Sequence, residues 1–282
     1  MFRLLKSLFR LFIFVIIISG LIFAYSKYIE PFHLKIEKIK ISSRYINEDT
    51  EGLHILAFAD THFGEYYTTE DFKKVVKAIE KENPDIVFFL GDLIDHYKEY
   101  TKTENISEIS RLLSEIKAPY GKYAVFGNHD YGGGAENIYE DIMTAGGFQV
   151  LVNDSLLIKE LGIKIIGIDD VVIGYGDPKI GKEANADLFN IILSHAPDVA
   201  DEIITYNIDL MLAGHTHGRQ INLSYFDDTI LPPYGKKYIK GLYPLNTERN
   251  AYLYVNSGIG MTQLPLRFLS PPEITIFTLE KP

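Results

Sequence analysis

Short apolar runs along the chain each end in a cluster of polar residues. The runs are rich in β-branched and aromatic residues, and their length is typical of strands buried on both faces of a sheet. Five of them read LHILAFADTHFG, DIVFFLGDLID, KYAVFGNHDYGGG, NIILSHAPD and DLMLAGHTHGRQ. Because ligands of α/β proteins bind beyond the carboxyl ends of the strands, these distant polar clusters can converge on one place.

Segments with helical periodicity lie between the apolar runs. Apolar residues recur at helical spacing in TTEDFKKVVKAIEKENPD, where Thr68 or Thr69 can cap the helix, and again in ENISEISRLLSEIKAP. AENIYEDIMTAGG ends on two glycines, a common helix stop, and APDVADEIITYN predicts one more helix. This alternation predicts βαβ units and a largely parallel core sheet.

The remaining patterned segments add strands. HLKIEKIKIS alternates and predicts a first strand, LLIKELGIKIIGID predicts a hairpin, and YLYVNSGIG and PEITIFTLE predict two strands in the tail. We therefore expect an α/β fold in which two mixed β-sheets pack face to face as a sandwich, with helices outside.

The first thirty residues follow a different pattern. Three basic residues within the first ten precede an uncharged apolar run from Leu11 to Tyr25. This run is short for a spanning helix and long for the core of a signal peptide, but Lys27 and Tyr28 can extend the span as interfacial residues. Ala24-Tyr25-Ser26 is a poor cleavage site. The pattern favours an uncleaved signal anchor, a transmembrane helix over residues 1–29, over a cleaved signal or a buried core helix.

The charge around the run predicts its orientation. Positive residues before the run outnumber those just after it, which predicts a cytoplasmic N-terminus. We therefore expect a single-pass protein of the cell membrane whose residues 30–282 form an extracytoplasmic domain.

Composition narrows the possible partners. The 282 residues carry a formal charge of −10 and include no cysteine, so thiolate metal sites and disulfides are excluded. Residues 31–282 hold 24 basic and 37 acidic side chains. Since a nucleic-acid binder needs a basic face, we expect no nucleic-acid partner. An anionic substrate would need another source of positive charge.

The polar clusters contain the residue types of a metal site. They hold five of the eight histidines of the chain. The cluster residues are Asp60, His62, Asp92, Asp95, Asn128, His129, Asp130, His195, His215 and His217. This mixture suits Mn²⁺, Fe²⁺ or Zn²⁺ better than Ca²⁺. It exceeds the three ligands of a usual catalytic zinc site and suffices for two ions that share a carboxylate, which would also supply positive charge to an acidic protein.

Each motif alone also has a plainer explanation. Gly91-Asp92 and Asn128 are typical of turns, and His195 can simply begin a helix. In an extended segment, residues i and i+2 point the same way. Asp60 and His62 can therefore bind one ion together. His215 and His217 also face the same way, and at a centre with two ions each of them can bind a different ion. The joint occurrence of the motifs in this order favours a dinuclear site.

The ordered set of motifs resembles the calcineurin-like metallophosphoesterase superfamily. The set is D-x-H (60–62), GD-x-x-D (91–95), GNHD (127–130), SH (194–195) and GHTHG (214–218). The tail segments YGKKYIKGLYPL and GIGMTQLPLRFLSPPEITIFTL are similar to a membrane-anchored bacterial branch that includes UDP-diacylglucosamine hydrolases and uncharacterised phosphodiesterases. The resemblance implies the four-layer fold of that superfamily over residues 30–282. It also implies metal-dependent hydrolysis of a phosphodiester, pyrophosphate or phosphomonoester.

The resemblance also implies a role for each cluster residue. The first ion would be held by Asp60, His62, Asp92 and His217. The second would be held by Asp92, Asn128, His195 and His215, so that the carboxylate of Asp92 bridges the two ions. His129 matches a histidine that contacts the phosphate and assists the leaving group, which makes His129 and Asp92 the candidate catalytic residues. Asp95 and Asp130 would support the ligands.

Two arginines are candidate substrate contacts. Arg219 stands where this branch commonly has glycine, and its guanidinium can either bind a substrate phosphate or face solvent. Arg267 is a candidate by analogy with the family. A second departure, Ala59 where the family often has serine, should matter little.

The sequence is compatible with more than one class of substrate. An anchor would hold the site near a bilayer, and several aromatic residues past the motifs can either line an approach for a lipid or pack in the core. These are Tyr225, Phe226, Tyr234, Tyr238, Tyr243 and Phe268. A lipid-linked phosphate ester is therefore one candidate. The alternatives are a soluble substrate, as in a nucleotidase or phosphatase, and a non-catalytic scaffold that keeps the fold.

Overall fold

A computed structural model describes residues 2–100, 105–223, 231–245 and 247–282. Two six-stranded sheets form its centre. The first contains β1 (Lys35–Ser42), β2 (His54–Phe58), β3 (Ile86–Phe89), β4 (Lys122–Ala124), β5 (Gln149–Val150) and β12 (Glu273–Glu280), in the spatial order β1-β12-β2-β3-β4-β5. The second contains β6 (Asp154–Ile158), β7 (Ile163–Gly167), β8 (Phe189–Leu193), β9 (Leu210–Ala213), β10 (Gly241–Pro244) and β11 (Tyr252–Val255), in the order β10-β11-β9-β8-β7-β6.

Seven α-helices occur among the described residues. They are α1 (Phe2–Tyr28), α2 (Thr69–Glu82), α3 (Tyr97–Tyr100), α4 (Ile106–Glu115), α5 (Asn128–Gly132), α6 (Tyr139–Ala145) and α7 (Ala200–Ile203). Short 3₁₀ turns cover Glu30–Phe32, Pro178–Glu183, Pro197–Val199 and His217–Arg219. Thr68, one of the two residues predicted as the cap, caps α2 with a reciprocal capping box to Asp71.

The strands alternate between two cores. In β2, Leu56 and Phe58 pack under α2, α4 and α6, while Ile55 and Ala57 face the second sheet. A third cluster, which includes Ile192 and Ile203, covers the outer face of the second sheet. The layers are therefore helices, sheet, sheet and helices. The expected α/β sandwich of two mixed sheets is confirmed, as is the hairpin, since β6 and β7 pair antiparallel.

The parallel strands set the position of the polar clusters. β2, β3 and β4 run parallel in the first sheet, and β7, β8, β9 and β11 run parallel in the second. The polar clusters follow the carboxyl ends of these two sets, and the two sets of ends meet at one edge of the sandwich.

Helix α1 precedes this body. It is exposed along most of its length and becomes buried at Ser26, close to its end. By length and composition it can cross a membrane. Of the aromatic residues considered above, Tyr225 and Phe226 lie outside the described residues.

Candidate metal centre

The seven predicted metal ligands all lie at the shared edge of the sandwich. Each follows the carboxyl end of a parallel strand. Asp60 and His62 follow β2, Asp92 follows β3, Asn128 follows β4, His195 follows β8, and His215 and His217 follow β9. Six of the seven, the aspartates and the histidines, have side chains that the structure groups closely enough to hold an ion.

The first group consists of Asp60, His62 and His217. Each offers one ligand atom, and these atoms lie within 4.8 Å of one another. The Nε2 atoms of His62 and His217 face each other at 3.0 Å, and Asp60 Oδ1 lies 3.7 Å from His217 Nε2. Two ring nitrogens this close need a shared proton or a shared cation between them.

The second group consists of Asp92, His195 and His215, whose ligand atoms also lie within 4.8 Å of one another. His195 Nδ1 contacts the carbonyl oxygen of Leu90 at 2.7 Å, which turns its Nε2 toward the group. His215 Nε2 contacts the carbonyl oxygen of Pro233 at 2.8 Å, which leaves its Nδ1 for the group. Metal-ligating histidines commonly use their other ring nitrogen in this way.

Asp92 lies between the two groups. Its Oδ2 is 3.1 Å from His195 Nε2 and 3.4 Å from His62 Nε2, so one carboxylate oxygen reaches histidines of both groups. Its Oδ1 accepts the backbone N–H of His129 at 2.8 Å, which fixes the orientation of the carboxylate.

The backbone at this edge is strained. Asp60, His62, Asp92, His215 and His217 have φ of 53°, 43°, 60°, 74° and 51°, in the left-handed region that favours glycine. Such strain persists only where the surrounding structure enforces it, and it concentrates at functional sites.

Close approach of neighbouring loops also shapes the cavity. Gly258, with φ of +68°, passes so near Asp60 that a Cβ there would lie 2.6 Å from the Asp60 Cβ. A Cβ at Gly214 would lie 2.7 Å from Asp60 Oδ2. Glycine is therefore required at both positions to let the chain pass the carboxylate.

Two unpartnered atoms fit a bound cation. Asn128 Oδ1 and His195 Nε2 are buried, and neither has a hydrogen-bond partner among the described residues. His195 Nε2 is near Asp92 Oδ2 but lacks hydrogen-bond geometry. Buried polar atoms are normally satisfied, so these two indicate a missing partner. The donor set of carboxylate, imidazole and amide oxygen suits a divalent ion of borderline hardness. The residues present therefore fit metal ions.

Charge is concentrated in this buried edge. Burial raises the pKa of Asp60 to about 6. Burial also opposes protonation of His62 and His195, but the carboxylates around them outweigh it and raise the pKa of each to about 10. Burial lowers the pKa of His215 to about 3. Without metal, protons on two imidazoles balance the carboxylates, and a cation at the site would take their place.

His129 belongs to neither of the two groups above. Its side chain is 21% exposed, whereas that of His62 is fully buried. His129 Nδ1 lies 3.1 Å from Asp95 Oδ1, and its ring packs edge-on against the ring of His62. Burial opposes protonation of His129, yet Asp92 and Asp95 raise its pKa. These carboxylates therefore favour the protonated form of the partly exposed His129 ring beside the two groups.

Asp95 and Asp130 hold the surrounding loops. Asp95 Oδ1 contacts His62 Nδ1 at 3.0 Å and accepts the hydroxyl of Thr262, also at 3.0 Å. Asp130 is buried, and its carboxylate accepts the backbone N–H groups of Asp92, Leu93 and Gly127.

The two arginines differ in their placement. Arg219 lies in the turn directly after His217 and is half-buried. Arg267 is fully buried, and its guanidinium donates to the carbonyl oxygens of Ser257, Gly260 and Ser270. Its remaining donor points at His217 Nδ1 at 3.4 Å. Four of the five guanidinium N–H groups donate to backbone carbonyl oxygens, which disfavours the expected contact between Arg267 and substrate. Arg267 instead supports the loop behind His217.

Sequence reasoning missed Asp170 and Gly258. Asp170 follows β7 and is buried; its Oδ2 accepts the backbone N–H groups of Val172, Ile173 and Gly174, and its Oδ1 has no partner among the described residues. Burial raises its pKa, and nearby His195 opposes that shift. Both residues could have been found from the sequence, because Asp170 in IGIDD and Gly258 in VNSGIG also stand where an apolar run ends in polar or glycine residues.

Comparison with known proteins agrees with this geometry. Residues 53–219 match the calcineurin-like phosphoesterase family. The chain belongs to this family. It is 40% identical to the uncharacterized metallophosphoesterase YkuE of Bacillus subtilis, over 92% of this chain and 90% of that protein. It is 27% identical to the phosphodiesterase YaeI of Escherichia coli, over 91% and 92%. It is 26% identical to the UDP-2,3-diacylglucosamine pyrophosphatase LpxG of Chlamydia muridarum, over 89% and 91%. The protein is thus a phosphoesterase, a hydrolase of ester bonds.

Proposed function

We propose that this phosphoesterase holds two divalent ions and hydrolyses a phosphodiester, pyrophosphate or phosphomonoester. Asp60, His62, Asp92 and His217 hold the first ion, and Asp92, Asn128, His195 and His215 hold the second. The position of Asp92, 3.1 Å from a histidine of one group and 3.4 Å from a histidine of the other, is the observation that carries the proposal. Mn²⁺, Fe²⁺ and Zn²⁺ suit these ligands.

The bound ions would supply a nucleophilic water and stabilise negative charge on the phosphoryl oxygens. Protein residues would donate the proton to the leaving group and bind the substrate. His129, whose pKa is raised, donates a proton from Nε2 to the leaving oxygen. Asp95 holds the ring of His129 through Nδ1, which leaves Nε2 as the proton donor. Arg219, two residues after His217 in the same short turn, binds a phosphoryl oxygen of the substrate.

A substrate at a membrane surface is the best supported class. One relative is named as a pyrophosphatase of UDP-2,3-diacylglucosamine, a lipid-bearing nucleotide sugar, and another is named as a phosphodiesterase. Helix α1 can cross a membrane. Residues 1–29 would anchor the protein in the cell membrane with the N-terminus cytoplasmic, and the catalytic domain, residues 30–282, would face outward.

The test of the two-ion proposal combines metal analysis with activity. Purified full-length protein should contain two ions per chain and should hydrolyse a chromogenic bis-phosphodiester or monoester. Asp92→Asn should lose metal and lower turnover on the order of a hundred- to a thousandfold. Asp201→Asn, at an exposed ion pair with Lys237, serves as the control and should keep both. Two retained ions with full activity in Asp92→Asn would remove Asp92 as the bridge.

The substrate class has its own assay. Metal-loaded protein incubated with a membrane lipid extract should release a phosphate-bearing headgroup or a nucleotide. Faster hydrolysis of soluble nucleotides than of any lipid in the extract would favour the soluble-substrate alternative.

A further inference from the structure

The segment before β12 carries two outward-facing leucines. Leu264 is 52% exposed and Leu269 is 59% exposed, whereas Arg267 between them is fully buried. We call residues 262–270 the leucine loop. Large apolar side chains that are exposed together can mark a contact surface.

The leucine loop is held firmly by the body of the protein. The guanidinium of Arg267 donates to the carbonyl oxygens of Ser257 and Gly260, which precede the loop, and of Ser270, at the end of the loop. Gln220 Nε2 donates to the carbonyl oxygens of Thr262 and Leu264. A bridge between Ile221 and Phe268 adds a neighbouring segment whose Leu223 is also 41% exposed. The exposure of the leucines therefore belongs to a defined surface.

The same loop is bonded to the end of helix α1. The backbone N–H of Arg267 donates to the carbonyl oxygen of Ser26 at 2.9 Å. The backbone N–H of Ser270 donates to Glu30 Oε1 at 2.6 Å, and Glu30 is only 2% exposed. Directly beyond the loop, Lys35 donates to the carbonyl oxygen of Pro272 at 2.8 Å. The bond from Arg267 to Ser26 sets the height of the loop along the helix. The other two bonds hold the loop and the residue after it to the segment that follows the helix.

That height can be placed relative to a bilayer. The sixteen residues between Arg10 and Lys27 carry no charge and extend about 24 Å as a helix, close to the roughly 30 Å of a hydrocarbon core. Lys27 therefore marks the interface at the outer end of the span. Ser26 precedes Lys27, so Arg267 lies at the same level. Leu264 and Leu269 are at most three residues away, within about 10 Å of that level.

We propose that the leucine loop is a second membrane contact, with Leu264 and Leu269 inserted among the lipid headgroups beside the end of α1. This inference rests on the proposed membrane anchor. Tyr28 and Ile29, 66% and 56% exposed at the helix end, continue the apolar surface. We assign the lipid bilayer as the partner of this apolar surface, because the leucine loop is bonded to the end of α1, where the chain would leave the bilayer.

The contact has a consequence for the metal centre. Ser270 Oγ donates to the carbonyl oxygen of His217 at 2.9 Å, and Arg267 contacts the ring of His217. A candidate ligand is thus joined directly to the membrane-facing loop. Phosphate esters whose apolar part stays in the bilayer would present their phosphate near this height.

Tryptophan fluorescence can test the contact, since the chain contains no tryptophan. Full-length Leu264→Trp and Leu269→Trp proteins are reconstituted into phosphatidylcholine vesicles, with or without lipids brominated near the headgroup end of the acyl chains. Phe14→Trp, in the apolar run, reports insertion of α1. Tyr120→Trp, which precedes β4 at the opposite edge, reports an exposed site away from the membrane. Circular dichroism checks that each variant is folded.

Shallow bromines should remove most of the emission of Leu264→Trp and Leu269→Trp and leave Tyr120→Trp unchanged. If Phe14→Trp is quenched but both loop variants behave like Tyr120→Trp, the loop faces water or another protein and the proposal is wrong. If Phe14→Trp is not quenched either, the proposal that α1 anchors the protein in the membrane is wrong, and so is the proposed membrane contact of the leucine loop. Hydrolysis of a soluble bis-phosphodiester in the same preparations reports separately on the phosphoesterase proposal.

Discussion

Strand β9 has a buried charged cluster at each end, and the two clusters are built differently. At its amino end, Asp209 accepts Ser43 Oγ at 3.0 Å, the backbone N–H of Asn190 at 2.8 Å and Arg249 Nη2 at 2.7 Å. At its carboxyl end, His215 and His217 join aspartates and histidines whose ligand atoms lie within 4.8 Å of one another in each group. Asn128 Oδ1 and His195 Nε2 have no hydrogen-bond partner in the part of the chain that the structure describes.

The difference separates a structural cluster from a binding site. The amino-end cluster is closed, since a cation and two neutral donors satisfy one carboxylate. The carboxyl-end cluster is open, since two of its buried polar atoms have no hydrogen-bond partner among the described residues. Its backbone is also strained. A closed cluster contributes to stability and uniqueness of the fold, whereas an open one gains its stabilisation from a ligand.

The largest expected effect concerns competition between protons and metal at the open end. With pKa values raised to about 10, His62 and His195 are protonated in metal-free protein at neutral pH. Both protons must leave when the ions bind, so metal affinity should rise with pH from 7 to about 10, by up to about tenfold per pH unit for each proton displaced. Titration calorimetry in buffers of different ionisation enthalpy would count the protons. Metal binding without proton release would contradict this prediction.

The next effect is on turnover alone. His129→Ala should lower turnover on the order of a hundred- to ten-thousandfold, the range for a lost general acid, while both metal ions remain bound. Steady-state kinetics and metal analysis on the same sample measure the two quantities. His96→Ala is the matched control, since His96 is an exposed histidine whose ring lies 5.7 Å from that of His129. A parallel loss of metal would make His129 a structural residue.

Disruption of the closed cluster at the amino end of β9 should lower the stability of the fold. Arg249→Leu leaves Asp209 buried without its cation and should lower the free energy of unfolding by about 3–5 kcal/mol. Turnover of the protein that remains folded should not change. Arg111→Leu removes an exposed partner of Glu108 and Glu115 and should cost at most about 1 kcal/mol. Urea denaturation compares the two, and equal costs would show that the closed cluster adds no stability of its own.

The smallest effect concerns the carboxylate that orients two histidines. Asp95→Asn weakens the contacts to His62 and His129 and should reduce metal affinity about ten- to a hundredfold, with a minor change in stability. Competition with a chelator measures the affinity. Unchanged affinity would show that the loop, rather than Asp95, orients His62.

Local sequence patterns predicted the buried strands, the hairpin and the polar clusters of this protein. Apolar runs such as IVFF and LMLA predicted strands buried on both faces because every residue in them is hydrophobic, and both are fully buried. The capping box at Thr68 and the hairpin of β6 and β7 follow from short-range chemistry. The polar clusters were recognisable because they follow strand ends, and the strands themselves bring those ends together.

Residues brought close by loop packing were less predictable. Arg267 was expected at the substrate, yet it lies buried against backbone carbonyls, since nothing in RFLSPP indicates which way the loop folds. Gly258 and Asp170 were missed because their importance comes from distant segments that pass beside them.

The sequence by itself indicated most of the strands and helices in their order, the family and the inventory of side chains that can bind a divalent ion. These depend on residue periodicity and on motifs within a few positions. Only the tertiary structure decided that Asp92 lies between the two groups, that Arg267 supports His217, and that the leucine loop is bonded to the end of α1. Those features depend on long-range packing, where the energy of a contact is spread over segments far apart in the chain.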